Sequence, residues 1–88
     1  KNFKLITYRP GVIYPGHIFY ILNKGNNSGK PLNEPCPNCF VCICENEDHK
    51  EQLYWLLFGL WQGRAFHPHL IGSVIPFIRL REVTNLIY

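Results

Sequence analysis

Four cysteines stand close together, Cys36, Cys39, Cys42 and Cys44, in the stretch PCPNCFVCIC. Thiolates bind zinc and iron–sulfur clusters, so this stretch is the first candidate for chemistry. Zinc asks for four donors in a tetrahedron, usually two Cys-x-x-Cys pairs from separate turns. Cys36 and Cys39 form one such pair. Cys42 and Cys44 are two apart in a continuously apolar run, so on a strand they share a face opposite Cys39 and cannot chelate as a turn does. A ferredoxin pattern would need a flexible loop and a remote fourth Cys followed by Pro, and the sequence has neither. Disulfides and a thioredoxin-like redox pair also fit poorly. Neighbours on one strand point wrongly for bridging, and Cys36-x-x-Cys39 leads into a strand rather than a helix. Cys42 and Cys44 therefore read as small buried hydrophobes. No metal and no cofactor are expected, and one alternative stays open: His67 or His69 completing a site with Cys36 and Cys39.

A second polar set is Gly25-Asn26-Asn27-Ser28-Gly29-Lys30-Pro31. It has the flavour of a phosphate-binding loop but only three residues between its glycines, and Pro31 follows the Lys where Ser or Thr should open a helix. Its backbone N–H groups and Lys30 could still meet a phosphate. Catalysis has little support. Ser73, His67 and His69 are present, but no Gly-x-Ser-x-Gly turn frames the serine. The carboxylates Glu45, Glu47 and Asp48 cluster where a helix should begin, which capping explains. The expectation is a protein without chemistry of its own.

The elements that must position these groups follow from patterning. Residues 3–8 (FKLITY) read as a strand with Phe3, Leu5 and Thr7 on one face. Turn signals follow at Arg9-Pro10-Gly11 and Tyr14-Pro15-Gly16, with Val12 and Ile13 as a possible short strand between them. Residues 17–22 (HIFYIL) form a second strand. Residues 23–37 are a long Gly/Asn/Pro-rich loop, and loops of that length often carry function. Residues 39–44 (CFVCIC) read as a central strand buried on both faces. Asn46 is a good N-cap for a helix reaching about Gln62, with Gly63 as C-cap and Leu53, Leu56, Leu57 and Leu60 as its apolar stripe. Tyr54, Trp55, Phe58 and Trp61 occupy most of the remaining helix surface. Residues 64–73 form a second loop, 74–80 (VIPFIRL) an edge or bulged strand around Pro76, and 81–87 a short helix or final extended piece. The predicted fold class is α+β: one domain with a small, mainly antiparallel sheet of four to five strands on one central helix.

Read in order, these pieces carry a resemblance. The run YPGHIFYILNKGNNSGK, the strand at 39–43, the Leu-Tyr-Trp-Leu-Leu helix core at 53–57 and the GSVIPFIRLREV segment at 72–83 are similar to the target-recognition domains of type I restriction-modification specificity subunits. His17 stands where those bacterial domains commonly carry Asp, and the chain is shorter than they are. It also resembles small uncharacterised proteins of Bacteroidetes. The restriction-type resemblance implies recognition of duplex DNA by two polar loops. Lys24, Lys30 and Arg64 would then meet phosphates. Asn26, Asn27, Ser28, His67, His69 and Arg79 would approach base edges, because amides and guanidinium groups offer paired hydrogen bonds to adenine or guanine. The alternative is a protein-interaction or assembly module, a homodimer included, that uses Tyr54, Trp55, Phe58 and Trp61, since aromatics are enriched at interface hot spots.

Composition agrees with a small binding domain. The 88 residues are 47% hydrophobic and only 17% charged, enough apolar material for a real core. Net charge is +3 and unevenly spread. Residues 1–30 carry Lys1, Lys4, Arg9, Lys24 and Lys30 and no acid, which suits an anionic partner. No apolar run nears the ~18 residues of a membrane helix, and no signal-peptide pattern opens the chain, so a cytoplasmic protein without membrane partners is expected.

Overall fold

The computed structural model describes residues 3–72 and 74–87. Among the described residues, four strands form one antiparallel sheet: β1 (Phe3–Thr7), β2 (His17–Leu22), β3 (Pro31–Leu32) and β4 (Cys39–Cys44), in the order β1-β4-β2-β3. β4 is interior, paired with β1 through Leu5↔Cys42 and with β2 through Phe19↔Cys42. That position explains its continuous apolarity, because both of its faces are covered and both of its edges are hydrogen-bonded. Directly opposed residues in an antiparallel pair share a face. One face therefore collects Phe3, Leu5, Phe19, Ile21, Phe40, Cys42 and Cys44. The opposite face carries Cys39 and Val41, both buried. There Tyr8 packs against Tyr14 and Tyr20, with ring centroids 6.0 and 5.9 Å apart.

Helix α1 (Glu47–Gln62) lies on the first face. Its N-cap is the expected one: the Asn46 side-chain oxygen accepts the His49 backbone N–H at 2.8 Å. Leu53 and Leu57 bury completely or nearly so against Phe19, Cys42 and Cys44. Burying such side chains contributes ~1.5–3 kcal/mol each. Leu56, expected in the same stripe, is 44% exposed. The contact surface runs through 53, 57, 60 and 61, so Leu56 looks outward. Helix α2 (Leu80–Ile87) resolves the two options for residues 81–87 in favour of a helix, with Val83 buried against the same core.

Three expectations need correction. Residues 74–80 do not form a strand. Pro76 lacks an N–H and Gly72 turns the chain at φ 102°, so only isolated bridges remain, Lys24↔Phe77 and Ile71↔Phe77. Val12 and Ile13 form no strand either and are exposed, Ile13 at 91%. Conversely, the long loop 23–37 hides β3, a two-residue edge strand on β2 whose Pro31 is tolerated because its far side needs no partner. No described helix is long and apolar enough to cross a membrane.

Candidate functional site

The 23–30 segment is a tight turn rather than a slack tip. Gly25 and Gly29 both adopt positive φ, at 96° and 101°. Gly29 N–H donates to Leu22 O at 2.7 Å and Lys30 N–H to Asn27 O at 3.1 Å. Ser28 is buried, and its hydroxyl donates to Gly25 O at 2.7 Å, so it braces the turn. Asn26 and Asn27 are left exposed at the tip.

The second half of the site begins where α1 ends. Ala65 N–H bonds back to Leu60 O at 2.8 Å and Arg64 N–H to Trp61 O at 3.0 Å. These are the two bonds of a Schellman closure, which needs a left-handed residue at the position after the cap. Gly63 is the C-cap, as expected, with an ordinary φ of −81°. The left-handed residue is Arg64, at φ 61° and the one positive-φ non-glycine among the described residues. A left-handed non-glycine costs ~1–2 kcal/mol.

Two contacts bring these segments together. Phe66, almost fully buried, lies so close over Gly29 that a methyl group there would overlap its ring. Gly25 N–H donates to Pro76 O at 2.6 Å and Ile78 N–H to Asn23 O at 3.0 Å, which ties the chain after the second loop to the start of the first. Between them opens a cleft of about 500 Å³. Asn26, Asn27 and Ser28 line one wall. Trp61 and Gln62 from the last turn of α1, then Arg64, Phe66 and His67, line the other. No carboxylate lies among those lining residues. Lys30 adds a cation nearby, its ammonium 5.0 Å from the Trp61 ring centroid.

Of the residues singled out in the sequence, Asn26, Asn27, Ser28, Arg64 and His67 meet at this cleft, with Lys30 at Trp61. Three others sit apart from its walls. Lys24 is exposed on the bridge to Phe77. His69 pairs through Nδ1 with Glu82 Oε1 at 3.2 Å. Arg79 is exposed, and its carbonyl accepts the Glu82 and Val83 N–H groups that open α2. Gln62 and Phe66 were missed. A polar residue in a helix's last turn and one Phe in a loop carry no spacing signal.

The aromatic set forms a ridge along α1. Ring centroids lie 5.3 Å apart for Tyr54–Trp55 and Trp55–Phe58, and 5.6 Å for Phe58–Trp61. Trp55 is 58% exposed, whereas Trp61 belongs to the cleft.

The cysteines stay apart from all this. Cys42 and Cys44 face the core with their sulfurs 3.9 Å apart. The Cys39 thiol donates to Cys36 O at 3.2 Å. Burial pushes the Cys39 thiol up to about 11 and raises Cys42 and Cys44 as well, so these three remain protonated at neutral pH. Among the described residues, no three His, Cys, Asp or Glu side chains gather in metal-binding geometry.

No curated protein and no solved structure matches the chain. A family described as a family of unknown function (DUF6943) matches residues 5–88. The chain belongs to that family.

Proposed function

Starting from that membership, which brings no activity with it, we propose that the protein is a small nucleic-acid-binding module that works through the cleft. One observation carries the reading: two loops some forty residues apart in the chain converge on a single acid-free concavity. Arg64 and Lys30 supply charge for phosphates, and His67 adds a donor and an acceptor. Asn26, Asn27 and Gln62 supply amides that can pair with base edges. Trp61 supplies an aromatic surface, and stacking on such surfaces is worth ~1–3 kcal/mol per base. The strained conformation of Arg64 supports the same reading, because left-handed non-glycines concentrate at ligand-binding sites.

A second reading has its own observation. Trp55 and Leu56 are large, apolar and 58% and 44% exposed on the outer side of α1, as a docking ridge for protein would be.

The test of the first reading is the binding of mixed-sequence oligonucleotides, read by fluorescence anisotropy across a salt series. Affinity should fall as salt rises, with a slope near that of two to three neutralised phosphates, about −2 in log K against log salt. Absence of binding at low salt, or binding indifferent to salt, would reject it.

A further inference from the structure

The proposed function leaves the form of the nucleic acid open, and the shape of the cleft bears on it. Resting on that reading, we propose that the cleft takes an unpaired nucleotide, so that the ligand is single-stranded rather than duplex.

A duplex shows its bases only as edges at the bottom of grooves. Reading them takes something convex, a helix or a two-stranded ribbon that enters a major groove ~12 Å wide. Here the recognition groups line a hollow instead. Its volume of about 500 Å³ falls in the range of small-molecule sites, ~300–1,000 Å³, and admits one nucleotide but no double helix. The chemistry of the walls matches a splayed base. Trp61 is half-buried against the core, and the part of its ring that lines the cleft beside Lys30 offers a base a stacking surface. The amides of Asn26, Asn27 and Gln62 each carry donors and an acceptor. A Watson–Crick edge presents that same mixture, but only when its partner strand is gone. The cations are few. Arg64 lines the cleft and Lys30 is held over the indole at 5.0 Å, enough for the phosphates flanking one nucleotide.

The turn is also built to hold its shape. Ser28 and both turn glycines fix it from below, and Phe66 locks it to the far wall. A preformed hollow binds with less ordering cost than a loop that must fold around its ligand.

The experiment compares four probes by isothermal titration calorimetry. These are a mixed-sequence DNA strand about a dozen nucleotides long, the RNA strand of the same sequence, the corresponding DNA duplex, and adenosine 5′-monophosphate. One or both strands should bind at least about tenfold more tightly than the duplex, and which strand is preferred reports the sugar. Trp61→Leu should weaken strand binding about tenfold. If Trp61→Leu does not fold, Gln62→Ala, an exposed position, should weaken the strand several-fold without disturbing the circular dichroism spectrum. Duplex affinity equal to or above that of both strands would overturn the proposal and leave the nucleic-acid reading standing. Tighter binding of adenosine 5′-monophosphate than of either strand would overturn it in favour of a free nucleotide. No binding of any probe would remove both.

Discussion

Arg64 concentrates the conflict between folding and binding in one residue. Its left-handed backbone closes α1, a task glycine performs without strain, and Gly63 stands one position too early to do it. The expected outcome of Arg64→Gly is a gain of ~1 kcal/mol in stability, about 4–8 °C in melting temperature for a domain of this size. The same change should weaken oligonucleotide binding by removing the guanidinium from the cleft. Thermal melting and a binding isotherm on one preparation check both halves, and a variant that is less stable or binds unchanged would contradict the account. This position was not legible in the sequence. Gly63 is the C-cap the sequence suggests, but the left-handed position of the Schellman closure falls on the next residue, and from there the chain carries Phe66 onto Gly29. Ser28 has a local task of its own. The resemblance put it at base edges, whereas its hydroxyl donates to Gly25 O and braces the turn beneath the cleft wall.

Among the elements, β4 was the most legible. A six-residue apolar run between a loop and a capped helix has few places to go except the middle of a sheet. Its cysteines follow from that place. Cys39, Cys42 and Cys44 are buried and held above the ordinary thiol value of 9.0, while the unfolded chain would ionise near that value. A group raised in the folded state contributes stability that is present below its unfolded value and lost as pH climbs toward its folded one. Stability should therefore decline as pH rises above 9, with Cys39 contributing its share of the loss by about 11. Urea denaturation from pH 8 to 11 measures it. A Cys39→Ala, Cys42→Ala, Cys44→Ala triple variant should be less stable at pH 8 but show a flatter decline. A decline of equal steepness would show that the thiols are not its cause. The less regular elements were harder to read. β3 has only two residues and begins with Pro, and residues 74–80 look β-rich yet contribute isolated bridges, because Pro76 removes a donor in their middle.

At the scale of the whole molecule, the sequence named two polar loops but could not say that they meet. Their convergence depends on the antiparallel order β1-β4-β2-β3, which sets the β2–β3 turn beside the end of α1. Hydrogen bonds from Gly25 to Pro76 and from Ile78 to Asn23 then fasten the chain around them. The same arrangement splits the predicted aromatic interface. Trp61 joins the cleft, while Trp55 and Leu56 stay outward on the ridge. The proposed site is thus one place in the fold, and amide chemical-shift mapping locates it. An oligonucleotide strand titrated into isotopically labelled protein should move the backbone amides of residues 26–30 and 61–67, and leave those of β1 and of Trp55 and Leu56 unchanged. Shifts confined to Trp55, Leu56 and their neighbours, or shifts there that follow protein concentration without any strand, would contradict the account and move the function to the helix ridge.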